Sequence, residues 1–362
     1  MKYLKFICYS AISMFLLSSC GSSEVPVVKL YPVGSSTGEY QYIDGKGRIV
    51  INPQFRQATV FREGLALVRT PGSDGKYGFI DEKGQFAINP QYSNATFFSE
   101  GIAWVTNDNE VINGINKKGQ IVITLPDIYN IDIFSNGLSA FRNESRGPFG
   151  FINKKGIIEI NPQFLSVENF SEGLCAVMND EYKWGYIDKK GILVINYQFD
   201  RALSFRGGRA VVYLNDKAGV IDRKGRYLIN PQFDQMTSDG NLYLIVQNQK
   251  MGWCDRNGSI IINPQFDAAG PFLGGNLAPF ASGEKWGFID KKGKIIINPQ
   301  FDEALPFNGN KALVQSNDKI GFIDKSGRYI INPQFDDVSD DLVAFLLSDF
   351  WQYRIGYSTL FL

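Results

Sequence analysis

The chain has 362 residues, 37 Lys and Arg against 37 Asp and Glu, and no histidine. Without histidine there is no Ser-His-Asp or Cys-His nucleophile and no histidine metal site. The balanced charge offers no overall basic face for a phosphate backbone, so no nucleic-acid partner is expected.

The first segment reads as a targeting sequence. Lys2 and Lys5 precede an apolar run, "FICYSAISMFLL", that is short for a membrane span. It ends in "LSSCGSS" (17–23). A Leu, two small residues and a Cys at this place resemble the bacterial lipobox. The resemblance implies cleavage before Cys20, lipid on its thiol, and a soluble domain held at a membrane surface. Gly21 after the cysteine favours the outer membrane in Gram-negative lipoproteins. An ordinary signal peptide or an uncleaved anchor is the alternative. The expected layout is 1–19 signal peptide, 20–39 lipidated Cys, linker and a part-unit strand, 40–349 nine repeats as one domain, and 350–362 a C-terminal part-unit.

After the stray apolar piece "VVKLYPVG" (27–34), one period dominates. The glycines of nine "KKG"-like turns are Gly47, Gly84, Gly119, Gly156, Gly191, Gly225, Gly258, Gly293 and Gly327, spaced 33 to 37 residues apart. Four residues after each stands an isoleucine, from Ile51 to Ile331, and next to it an asparagine, except at Thr124. Self-similarity at this period signals repeated supersecondary units that bury their faces only against neighbours.

The units resemble the bacterial WG repeat. That resemblance rests on aromatic-Gly pairs such as Trp184-Gly185 and Trp286-Gly287, followed by phrases like "FIDKKGKIIINPQFD". It implies a repeat scaffold and carries over no active site. The third copy, "INGINKKGQIVITLPDIYN", departs from it at both the Gly-aromatic and the Asn-Pro-Gln step, and the first has Gln41 in place of the glycine.

Each part of the phrase has a physical reading. Asp290-Lys291-Lys292-Gly293 fits a type I turn with a left-handed glycine beyond it, the Asp carboxylate accepting turn N–H groups. The equivalent acids are therefore turn formers, and Asn116 and Asn153 do the same work in two copies. Positions two and four past the glycine are apolar in every copy, and position three in all but Glu159. Read by periodicity, such strands are buried on both faces. The aromatic two residues after the proline, Phe55 to Phe335, is expected between repeats. A third strand, as in "FREGLALVRT" (61–70), completes an antiparallel meander, with a fourth short strand possible around "FDEA".

The fold class expected is all-β: antiparallel meanders of about 35 residues in a β-propeller-like ring, favoured over an open β-solenoid. The part-units at 27–34 and 353–359 offer strands for a closing seam. The two later cysteines, Cys175 and Cys254, occupy apolar repeat positions and read as buried free thiols, with a disulfide in an oxidising envelope as the alternative. With neither a phosphate loop nor a Cys-x-x-Cys pair, no cofactor or metal is expected. The functional expectation is a non-enzymatic, lipid-anchored scaffold of the cell envelope, meeting an envelope protein or a glycan. Trp184 and Trp286 are the candidate ligand-stacking residues, with core packing as the bland alternative. A hydrolase using carboxylates alone is the competing class.

Overall fold

The computed structural model describes residues 26–108, 110–238, 242–273 and 275–347. Cys20 and the part-unit at 353–359 lie outside them. The described residues form nine four-stranded antiparallel sheets, and one helix, Asp340–Leu347 (α1), follows the last of them. This is the β-propeller class of fold, one blade to each repeat. Contacts divide the described residues into two compact units, Val28–Tyr197 with Val338–Leu342, and Gln198–Asp337 with 26–27 and 343–347.

Blade 8 shows the pattern. A two-residue strand, Ala268–Ala269, pairs with Leu277–Ser282, which pairs with Lys285–Asp290, which pairs with the seven-residue edge strand Ile295–Phe301. The fourth strand expected near "FDEA" exists. It belongs to the following blade, where Glu303–Ala304 opens the sheet and pairs with Ala312–Ser316. In blade 1 that place is taken from the chain's other end: Asp337–Val338 lies beside Leu30–Gly34. The stray strand at 27–34 thus finds its partner at the end of the ninth repeat.

The turn chemistry follows the sequence. In blade 1, Asp44 Oδ1 accepts the N–H of Lys46 at 2.8 Å and of Arg48 at 3.0 Å, and Gly47 sits at φ 81°. Burial would raise the Asp44 carboxyl, but these donors and the Arg48 guanidinium outweigh it and bring it down to about 2. Asn116 and Asn153 accept the same two N–H groups through Oδ1.

Two register shifts in the edge strand recur in blade after blade. In blade 9, Ile320 pairs with Phe335, Phe322 with Ile331, and Ile323 with Tyr329. The first shift places Asn332-Pro333-Gln334 opposite Gly321 alone. Proline supplies no ladder donor, so an outward step here costs no hydrogen bond. The bulging backbone presses on that glycine. A Cβ on Gly321 would stand 2.6 Å from the Ile331 carbonyl oxygen and 2.7 Å from the Pro333 nitrogen. The equivalent glycines Gly78, Gly150, Gly185, Gly219, Gly252 and Gly287 meet the corresponding carbonyl oxygen within 2.8 Å.

Blade 3 explains its own departure. Ile112–Ile115 runs against Ile121–Leu125 in unbroken register through Asn113↔Thr124, because there is no Asn-Pro-Gln step to bulge. With the pressure gone, Asn113 takes the glycine's place and accepts the Thr124 hydroxyl proton at 3.0 Å. Both halves of the motif are absent together: without the bulge, nothing presses on this position and a side chain fits there. Gln41 in blade 1 is the exception: the bulge remains, and the buried side chain leaves its amide oxygen without a hydrogen-bond partner.

The edge strands correct one expectation. They are not buried on both faces. Of the residues two, three and four past the glycine, only the fourth is buried, 3 to 5 % exposed from Ile51 to Ile331. The second and third are exposed throughout. The reason is position: the strand ends its sheet, and the second register shift sets two residues opposite one, so neither reaches the packed face. The fixed aromatic after the proline does pack between repeats, with Phe55 edge-on to Phe86 and Phe301 edge-on to Tyr329 of the next blade.

Candidate interaction surface

The exposed residues of the edge strands form the most regular surface feature of the chain. In the unit Val28–Tyr197 they are Ile49 and Val50, Phe86, Ile121 and Val122, Ile157 and Ile158, and Ile192 to Val194, each 38 to 59 % exposed. In the other unit they are Tyr227 and Leu228, Ile260 and Ile261, Ile295 and Ile296, and Tyr329 and Ile330, 38 to 45 % exposed. Single exposed apolar side chains need no explanation, but a pair at the same place in nearly every blade does.

Each pair follows a cationic turn. The nine five-residue turns, from 44–48 to 324–328, hold 18 of the 37 Lys and Arg but only 8 of the 37 Asp and Glu, a surplus of 10 positive charges. Most of those acids are the turn-capping aspartates. The third turn position is an exposed lysine in seven copies: Lys46, Lys83, Lys118, Lys155, Lys190, Lys224 and Lys292. Consecutive turns are spatial neighbours of the preceding edge strand. A Cβ on Gly84 would stand 3.0 Å from Ile51, and one on Gly156 2.8 Å from Ile123.

A second set of turns, between the short first strand and the second strand of a blade, is polar and locked. Glu63 accepts the Gly101 N–H at 3.1 Å, Glu100 the Gly137 N–H at 3.0 Å, and Asn136 the Gly173 N–H at 3.2 Å, each reaching one blade onward. Ser99 and Ser135 donate to the Phe134 and Phe170 carbonyls in the same sense. In the other unit the aspartate after the fixed aromatic rivets neighbours: Asp302 takes Lys285 Nζ at 2.5 Å and the Asn317 N–H at 2.7 Å. These groups are engaged in joining blades, whereas the apolar pairs stay 38 to 59 % open to solvent.

Trp184 and Trp286 are 8 % and 7 % exposed, packed within their blades opposite Met178 and Ala281. Their rings present little face for a sugar. Cys175 and Cys254 are buried and free, and burial pushes the Cys254 thiol up to about 12. Thiols so far from ionisation are poor nucleophiles.

Sequence reasoning passed over one acid. Asp132 follows the short first strand of blade 4, where other copies carry Thr59, Thr96 or Leu305, and Glu168 holds the same place in blade 5. Burial raises the Asp132 carboxyl to about 6, against the pull of the Ile133 N–H at 2.7 Å. A polar residue at an otherwise mostly uncharged repeat position was the available signal. Among the described residues no cluster of His, Cys, Asp or Glu is arranged to hold a metal ion.

Comparison with known proteins agrees with this architecture. The model of the WG containing repeat matches residues 42–70, 77–110, 149–182, 184–217, 219–250, 251–286, 286–319 and 320–341. The stretch it leaves out, 111–148, contains the blade 3 hairpin that lacks the first register shift. No curated protein matches the chain significantly. Among solved structures, a eukaryotic initiation factor aligns with a TM-score of 0.61 at 11 % identity, covering 86 % of this chain and 97 % of that one. BamB from Moraxella catarrhalis aligns at 0.43 and 12 % identity, covering 86 % and 95 %. Similarity at that identity shows the fold alone. Matched over most of its length in eight tandem copies, the chain belongs to the WG-repeat family.

Proposed function

We propose that this protein is a non-enzymatic binding scaffold of the bacterial cell envelope, held at the outer membrane by lipid on Cys20. An envelope protein or glycan is its partner. The observation that carries the binding role is the exposed apolar pair repeated along the edge strands. A chain that spends hydrophobic residues on solvent at the same repeat position many times is presenting them to something. The leader, with its lipobox-like "LSSC", supports the location.

Photo-crosslinkers at Ile158 and Leu193 in cells test the scaffold. A discrete adduct that Ile157→Ser and Ile192→Ser abolish is the expected result. For the anchor, Cys20→Ala should stop lipid labelling and release the protein from membrane fractions. Persistence of both would refute it.

A carboxylate hydrolase is the second reading, and Asp132 is the specific observation in its favour. A carboxyl near 6 has the protonation range of a general acid, and Glu168 supplies a second carboxylate one blade on. Turnover of a glycosidic substrate, lost on Asp132→Asn, would establish this reading over the scaffold.

A further inference from the structure

We infer that the belt of cationic turns and apolar pairs is a docking surface for an anionic phospholipid bilayer. The inference rests on the binding role proposed above, and it puts a lipid surface, in place of a protein or glycan, against the apolar pairs.

The argument starts from what lies side by side. In each of blades 3 to 5 an exposed lysine at the turn precedes two or three exposed aliphatic residues: Lys118 with Ile121 and Val122, Lys155 with Ile157 and Ile158, Lys190 with Ile192 to Val194. Each turn leans on the preceding edge strand, as the close approaches of Gly119 to Ile88, Gly156 to Ile123 and Gly191 to Ile160 record. The three clusters therefore form one continuous strip within the unit.

Two chemistries meet on that strip, and a bilayer surface satisfies both. Aliphatic side chains at the boundary between headgroups and acyl chains leave water, while lysines one turn away reach lipid phosphates. A protein partner could cover the aliphatic residues, but it would have to carry matching acidic groups in register with every turn. A fluid anionic surface needs no register, which suits a motif repeated with nine slightly different side-chain sets. Charge complementarity selects the lipid. The chain as a whole is neutral, so the surplus of 10 positive charges in the turns leaves an equal negative surplus elsewhere. The three turns of blades 3 to 5 alone carry six lysines against one acid, Asp188, and an anionic surface attracts such a strip.

The lysines are available for this role. Lys118, Lys155 and Lys190 are exposed. Their neighbours Lys117 and Lys154 turn back onto Glu63 and Glu100, at 3.0 and 3.8 Å, and are engaged in joining blades.

The test is co-flotation of the full chain carrying Cys20→Ala, which removes the proposed anchor, with vesicles of phosphatidylglycerol and phosphatidylcholine, compared with phosphatidylcholine alone. The N-terminal segment is common to every variant, so differences between variants report the belt. Binding is expected to favour the anionic vesicles at least tenfold and to weaken as salt is raised. The triple variant Lys118→Glu, Lys155→Glu, Lys190→Glu should lose about 100-fold or more in affinity, from about one kcal/mol per cation near the surface. A second variant, Ile121→Ser, Ile158→Ser, Leu193→Ser, should weaken binding while keeping the preference for anionic vesicles. Circular dichroism checks that both variants remain folded.

Equal binding to neutral and anionic vesicles would overturn the inference, as would indifference to either set of substitutions. Sedimentation showing that the wild-type chain self-associates, and that the serine variant does not, would assign the strip to a second copy instead. If vesicles fail to bind while the crosslinks at Ile158 and Leu193 still form, the scaffold stands and only its lipid partner falls.

Discussion

Gly321→Ala tests the reasoning about the repeat at its most constrained point. The added methyl would stand 2.6 Å from the Ile331 carbonyl oxygen, 2.7 Å from the Pro333 nitrogen and 3.0 Å from the Asn332 carbonyl carbon. Ordinary contact begins near 3.4 Å, so the edge strand must retreat by about 0.8 Å from a ladder that also seats Ile331, 3 % exposed. Overpacking of this kind costs about 1–3 kcal/mol, and Gly→Ala returns at most about 1 kcal/mol through the unfolded chain. Blade 1 shows what accommodation looks like, since Gln41 fits only with a buried, unbonded amide oxygen. The expected net loss is about 2 kcal/mol, read from urea unfolding and from faster amide exchange in Lys319–Ile323 and Tyr329–Phe335. The control is Asn113→Ala in blade 3, where this bulge is missing; it removes two hydrogen bonds, to Thr124 and Val111, and at about 0.5 kcal/mol each should cost about 1 kcal/mol. Gly321→Ala within a few tenths of wild type, or no costlier than the control, would refute the coupling of glycine to bulge.

Three further outcomes follow from named contacts. Arg62 and Asp341 form a part-buried two-bond pair, 2.8 and 2.9 Å, under the Phe97 ring, and Asp341 also accepts the Val60 N–H. Asp341→Asn strips the charge from one side only and should cost about 3 kcal/mol while exposing α1 to limited proteolysis; an unchanged digest would count against the clasp. Asp132→Asn should stabilise the fold at pH 7.5 by up to about 3 kcal/mol, the worth of about two pKa units. The folded carboxyl titrates higher than the unfolded one, so wild-type stability falls as pH rises from about 4 to about 6. The advantage of the variant should vanish at pH 4, and a gain that persists there would show that charge is not its cause. Lys285→Ala removes a half-exposed rivet to Asp302 and should cost less than 1 kcal/mol in a urea titration, because exposed pairs are screened; a larger loss would mean the rivet holds blades together.

Much of the blade was legible in the chain because its signals are local. The Asp-Lys-Lys-Gly turn needs only a short acceptor at one end and a left-handed glycine at the other, and both are visible as letters. Asn116 and Asn153 replacing aspartate already marked the acid as a turn former. The candidate surface was misread because periodicity reports which residues are apolar, not which are covered. Glu159, the one charged residue at the third position, was the clue that this face meets water. Asp132 was missed for the opposite reason: an acid in a short strand looks solvated until its surroundings are known.

By itself the sequence determined the repeat, its turns, the fold class and the buried free thiols, since these rest on spacing and on backbone preference within a few residues. Tertiary structure alone decided the rest. It joined Asp337–Val338 to the first blade across some 300 residues and lent each short strand to the sheet that follows it. It tied the glycine to a bulge a dozen residues onward, and it left the isoleucine pairs in water. The physical reason is that exposure is set by which strand ends a sheet, and no strand carries that information within itself.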